Sequence, residues 1–267
     1  MKNVVLSYLL LCCWPALHAQ TDPGLQPDAV IKGSYTDFTV DNLGNIFLLD
    51  STNQLKKLSP AGDSIAVYND IRRFGKLYSI DAGNPLKILL FYRDFGTIVI
   101  LDRLLNVRAS IDLRKLNLYQ VKAIGQSFDN AVWVYDENEA RLKRIGDEGN
   151  LIDQTGDLRL QLDDAPSPGV IEDHDRLVYL YDSSKGVFVF DYFGALKSKL
   201  LFQGWQDFQL AGKFLLGRKA GMLERYQLGS LSPEEKTIPM LRDARKVRIA
   251  GNRLFCLRTG GLWIYRF

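Results

Sequence analysis

Short apolar strands recurring roughly every 40 residues, polar turns of Gly, Asn and Asp between them, and no sustained helical period predict an all-β chain. The arrangement these imply is a ring of six four-stranded sheets, a six-bladed β-propeller. The chain has 267 residues. Its third strands end on large apolar residues at Leu58, Leu101, Ile145, Phe190, Tyr226 and Tyr265. Each repeat has the same internal order. A first strand (37–40, 77–81, 120–124, 168–172, 206–210, 245–249) leads to a polar turn. A continuously apolar second strand follows (46–50, 88–92, 132–136, 177–182, 214–216, 254–257), then the third. Continuous apolarity suits strands covered on both faces, as between packed blades. Fourth strands follow in five repeats, at 64–68, 107–113, 151–155, 196–202 and 236–238. The sixth repeat has none, because the sequence stops at Phe267. An alternating strand at 29–35 precedes the first repeat and is expected to complete the C-terminal blade. That closure would leave no open sheet edge. The weak helical candidates are 113–121 and a start at Ser232-Pro233-Glu234-Glu235.

The first residues set a compartment. Lys2, an apolar run from Val4 to Trp14, Pro15, and Leu17-His18-Ala19 read as a secretory signal over 1–19. The run is too short for a membrane anchor. Cys12 and Cys13 lack the small residue expected ahead of a lipid-attachment cysteine. A linker over 20–28 and a single propeller domain over 29–267 would follow. The exported chain then keeps one cysteine, Cys256, within an apolar run, and one histidine, His174, in the polar turn 172–176. A single thiol forms no internal disulfide, so the fold must rest on its core.

Composition and missing motifs remove several functions. The net charge is +3, too small to argue for nucleic acid. One histidine excludes a multi-histidine zinc site. There is no G-x-S-x-G elbow and no phosphate-cradling glycine loop. The alternation of Gly261, Trp263, Tyr265 and Phe267 is not repeated in ten-residue strands elsewhere, which argues against a membrane barrel.

The run Asp41-Asn42-Leu43-Gly44-Asn45-Ile46-Phe47-Leu48-Leu49-Asp50, followed by residues 55–58 and Gly62, resembles the core of NHL-type repeats. Asp136 and Asp182 echo the closing aspartate, while Arg93, Arg218 and Arg258 depart from it. The resemblance covers nearly all of 29–267 and implies a fold, not an activity. Lactonase-type propellers hold a hard cation with channel acids. By that likeness Asp37, Asp81, Glu172 and Asp207 would be the ligands of a Ca2+ ion. Lys122, Arg245, Lys246 and Arg248 share those strands and oppose such a site.

A second pattern runs around the ring. The second strands end at Asp50, Arg93, Asp136, Asp182, Arg218 and Arg258, a candidate polar rim for a partner. Ordinary turns and surface ion pairs explain the same residues. Together these observations predict an exported, non-catalytic propeller without a cofactor. It would bind a protein or glycan partner in the periplasm or at the cell surface, as an adaptor in an envelope complex. The alternative is a calcium-dependent hydrolase or lyase of the lactonase type working in the channel.

Overall fold

The computed structural model describes residues 26–267, so the expected signal segment at 1–19, Cys12, Cys13 and most of the expected 20–28 linker lie outside the described residues. Six antiparallel sheets of four strands form the molecule. Blade one comprises Tyr35–Val40, Ile46–Asp50, Leu55–Leu58 and Ser64–Tyr68. Blade two comprises Ser79–Asn84, Lys87–Tyr92, Thr97–Leu101 and Val107–Asp112. Blade three has Val121–Gln126, Val132–Asp136, Arg141–Ile145 and Leu151–Gln154; blade four has Val170–His174, Leu177–Asp182, Gly186–Asp191 and Leu196–Leu200. Blade five has Gln206–Ala211, Phe214–Lys219, Met222–Gln227 and Glu234–Thr237. Blade six takes Lys246–Ala250, Arg253–Arg258 and Gly261–Arg266 from the C-terminus and Pro27–Lys32 from the start of the described chain. In that closing pair Val30 lies opposite Trp263 and Ile31 opposite Leu262.

The burial of each strand follows its place. The second strands are buried almost throughout, as in Ile46–Asp50 and Lys87–Tyr92. The fourth strands are largely exposed, as in Leu151–Gln154 and Glu234–Thr237. The first strands of neighbouring blades touch all the way round and form the wall of a central channel. The core is divided among the blade interfaces. Phe47, Leu90 and Tyr92 pack between blades one and two, and Trp133, Leu180 and Phe188 between three and four. Phe38, Phe255 and Ile264 seal blade six to blade one. Trp263 is half-buried against Leu223, Ile238 and Leu241 of the preceding blade.

Polar bonds stitch these interfaces, because a buried donor or acceptor without a partner costs about 1–3 kcal/mol. Lys57 Nζ donates to the Arg103 carbonyl at 2.8 Å, and the Gln126 N–H donates to Asp81 Oδ2 at 2.8 Å. Trp133 Nε1–H donates to Asp173 Oδ2 at 2.7 Å, and the Tyr181 hydroxyl donates to the Trp205 carbonyl at 2.6 Å. The Ile249 N–H reaches Gln209 Oε1 at 3.3 Å, and Lys246 Nζ reaches Asp37 Oδ1 at 2.6 Å.

Two helical expectations resolve differently. Leu113–Leu116 is a single 3-10 turn, capped by Asp112 Oδ1 accepting from the Arg114 N–H. The expected helix start at 232–235 is overturned. Glu234–Thr237 is a strand, and Lys236 stands opposite Leu223. The open edge of Met222–Gln227 offers a row of backbone partners, which a short local helix does not. A helical turn that the periodicity did not reveal, Ile71–Phe74, follows blade one and buries Phe74.

Chain direction gives the ring two faces. The front face carries the turns from first to second and from third to fourth strands. The rear face carries the turns from second to third strands and the loops between blades. Three front turns share one construction. Asp41 Oδ1 accepts from the N–H groups of Leu43 and Asn45, with Gly44 at φ +81°. Asp102 does the same for Leu104 and Asn106, and Asp191 for Phe193 and Ala195. An aspartate that replaces the missing strand partners fixes such a five-residue turn.

Candidate functional site: the central channel and its two ends

The channel has a volume of about 1890 Å³ and is lined by all six first strands. Asp37, Asp81, Glu172 and Asp207, the four acids expected on those strands, all face it. They do not gather. Asp37 is taken by Lys246, and Asp207 pairs with Arg218 at 2.8 Å. Asp81 accepts from the N–H groups of Gln126 and Gly83. Among the described residues no three His, Cys, Asp or Glu side chains are placed to hold a metal ion together.

Two of these acids are electrostatically unusual. Burial pushes the Asp207 carboxyl up, and the Arg218 and Lys246 charges only partly offset it. Asp207 also sits at φ +57°, at an irregularity in its strand, so its backbone is held in the left-handed region to meet Arg218. Burial pushes the Glu172 carboxyl up to about 7; Arg248 pulls against this and the Asp81 charge adds to it. The channel wall surrounds Glu172, yet water reaches 29% of its side chain. Its nearest base, Arg248, is 3.9 Å away, and among the described residues no hydrogen bond reaches its carboxyl.

The six rim residues do lie at one level, on the rear face, but outside the channel lining. They are engaged locally. Asp50 accepts from the Thr52 hydroxyl and the N–H groups of Thr52 and Gln54. Asp182, 3% exposed, accepts from the N–H groups of Ser167 and Ser184 and the Ser184 hydroxyl. Burial favours its neutral form, but these donors outweigh burial and hold the carboxyl below the ordinary value. Asp136, 1% exposed, takes Lys143 at 2.8 Å. Burial alone would lower Lys143; its bonds to Asp136 and Glu139 raise it instead. Arg218, 4% exposed, donates to Asp207 and to the Leu241 carbonyl. Arg258 donates to the Met240 carbonyl and lies over Trp263 and Tyr265. Arg93 is exposed and covers the Tyr78 ring at 4.5 Å.

At the front mouth, first strands and turns of blades two to four enclose a side pocket of about 240 Å³. Gln126, Phe128 and Asn130 line it, and no sequence motif singles them out. Asp173 organises the pocket's edge: Oδ2 accepts from the Phe128 N–H and Trp133 Nε1–H, and Oδ1 accepts from the Tyr192 hydroxyl. Tyr192 stacks on Phe128 at 4.3 Å and 5°. His174 faces the channel at this end and is exposed. Cys256 is buried, and burial raises its thiol, so it is a packing residue. No described helix is long and apolar enough to cross a membrane.

No protein-family model and no curated protein matches the sequence. Solved structures match in shape. A streptogramin B lyase shares 12% identity over 90% of this chain and 85% of its own, with a TM-score of 0.61. A catalytically inactive histidine-to-alanine variant of virginiamycin B lyase from Staphylococcus aureus, solved with quinupristin, shares 14% over 86% and 79%, with a TM-score of 0.58. The Pan2 WD40 domain of Neurospora crassa shares 10% over 85% and 73%, with a TM-score of 0.59. At such identities the likeness is one of fold. The chain is a six-bladed β-propeller, the class that the NHL-type resemblance implied.

Proposed function

We propose that this chain is an exported, non-catalytic propeller that binds a protein or glycan partner, as an adaptor in a cell-envelope complex. The observation that carries the reading is the pairing within the channel. Asp37 and Asp207 are each bound by a base and Asp81 by backbone N–H groups, so the ring's acids hold the blades in place. A cation-dependent hydrolase needs those oxygens directed at one ion. Export rests on the signal-like segment at 1–19. The test is a pull-down with the full chain from solubilised envelope, with fractionation of the untagged protein. A discrete, salt-resistant partner in the same fraction is the expected result. Calcium-dependent hydrolysis of a lactone panel would overturn the reading.

One observation favours a second reading, a lyase or hydrolase in the channel. His174 faces the channel, and one matching fold belongs to a lyase whose histidine-to-alanine variant is catalytically inactive. Loss of intact quinupristin in the presence of this chain, abolished by His174→Ala, would support it. Absence of bound calcium, and an unchanged melting temperature on adding it, would count against the calcium-dependent form.

A further inference from the structure

We infer that the side pocket at the front mouth, between blades two, three and four, is a subsite for one neutral sugar ring. The inference rests on the reading of this chain as a binding propeller and names the ligand class.

The first argument is unused hydrogen-bonding capacity. Gln126 is fixed by its own bonds: its N–H reaches Asp81, and Nε2–H reaches the Lys87 carbonyl at 2.7 Å. Its Oε1 accepts nothing among the described residues. Asn130 accepts at Oδ1 from Asn84 Nδ2 at 3.1 Å, which orients the amide and leaves both Nδ2 hydrogens to donate. The Glu172 carboxyl has no hydrogen bond at all among the described residues. Two acceptors and a donor pair thus line one pocket, the two amides held by their own bonds. Hydroxyl groups on a ring, which both donate and accept, match that set.

The second argument is the wall. Phe128 is 58% exposed; the Tyr192 stack, the Arg144 guanidinium 5.5 Å from its ring centre and the bond from its own N–H to Asp173 fix its orientation. A pre-oriented aromatic next to amides and a carboxylate suits a ligand with an apolar C–H face and a hydroxyl edge. Gly125 supports the geometry. A Cβ there would meet the Ile171 carbonyl oxygen at 2.5 Å, so only glycine lets the first strands of blades three and four approach this closely beside Gln126.

Charge excludes the rivals. The titratable groups lining the pocket are the acids Asp81, Glu172 and Asp173, which repel a phosphate or carboxylate, and the two arginines beside it face acids of their own: Arg248 stands 3.9 Å from Glu172, and Arg144 pairs with Asp129 at 2.9 Å. The nearby Lys87 ammonium is occupied by the Asn130 carbonyl and Asp147. A metal ion would need the oxygens of Asp81 and Asp173, and these accept from N–H and O–H donors already. At about 240 Å³ the pocket falls below the ~300–1,000 Å³ of drug-sized sites, which fits one ring and not a chain.

The test titrates the full chain by saturation-transfer NMR with methyl glycosides of neutral hexoses, 6-deoxyhexoses and N-acetylhexosamines. Tetramethylammonium and sodium phosphate serve as charged probes. At least one glycoside is expected to bind with a millimolar Kd. Asn130→Ala and Phe128→Ala should each weaken it roughly three- to tenfold, the loss of one bond or contact. Arg108→Ala, on the exposed outer strand of blade two, should not. Should Phe128→Ala fail to fold, the exposed Asn130→Ala still decides. No glycoside binding, binding untouched by Asn130→Ala, or tighter binding of either charged probe overturns the inference. Failure of the glycosides with an envelope partner still captured removes the subsite alone. Quinupristin turnover with a glycoside still bound removes the non-catalytic reading alone.

Discussion

The rear and front ends of this ring use the same residue types in opposite ways. At the rear, Asp136, Asp182 and Arg218 are nearly inaccessible and saturated by neighbours. At the front mouth, Glu172, Asn130 and Gln126 keep bonding capacity that nothing among the described residues uses. Two things separate the sets: the rear groups are shut from water while Asn130 is exposed and Glu172 partly so, and more partners are aimed at each rear group. Asp182 is buried with three donors and its carboxyl is lowered, whereas Glu172 is enclosed with none and its carboxyl is raised. Groups that hold a fold together and groups free to hold a ligand are distinguished by that inventory.

The largest effect that would sharpen this contrast is at the rear. Asp207→Ala leaves Arg218 charged and buried, and should cost about 3–5 kcal/mol in urea unfolding. An unchanged midpoint would show that water enters and that the rear is not sealed. Asp182→Ala removes the acceptor of three donors and should cost about 1–3 kcal/mol. The stability that Asp182 provides should fade in acid. Its carboxyl is lowered in the folded chain, so its contribution is present above the ordinary carboxylate value and lost as pH falls through the folded value.

Glu172 should behave with the reverse sign. Its folded value, about 7, lies above the ordinary 4.5. The stability tied to its proton is complete below 4.5 and is lost as pH rises through about 7. Glu172→Gln should therefore raise the melting temperature above neutral pH and leave it unchanged well below 4.5. A uniform shift at all pH values would contradict the enclosure. The smallest effect belongs to Phe193, which is 93% exposed on the front face. Phe193→Ser should change stability by no more than about 0.5 kcal/mol by calorimetry. A larger loss would mean the front turns are part of the scaffold after all.

Much of the scaffold was readable because its chemistry is short-range. Asp50 and Asp182 each bond N–H groups two residues onward, so the sequence alone marks them as turn acids. The sixfold strand pattern and the missing last strand were equally visible, but the closing strand, expected at 29–35, is Pro27–Lys32: it begins two residues earlier and ends three earlier, and Tyr35 opens the first strand of blade one. What escaped depends on ring curvature. Nothing local says that Lys246 meets Asp37, or that Asn84 meets Asn130 across blades. Amides follow no period and carry no charge, so Gln126 and Asn130 stood out in no motif. The outer strand of blade five, expected at 236–238, starts two residues earlier as Glu234–Thr237, inside a stretch with the look of a helix cap, because a neighbour's open edge draws it out.

The pairing of Pro27–Lys32 with Gly261–Arg266 orders events in time as well as space. Of the described strands, the earliest made cannot take its place until Gly261–Arg266, the latest made, exists. Until then the blades form an arc with two unpaired ends. Removing Gly261–Arg266 would leave not a slightly smaller ring but one that never shuts.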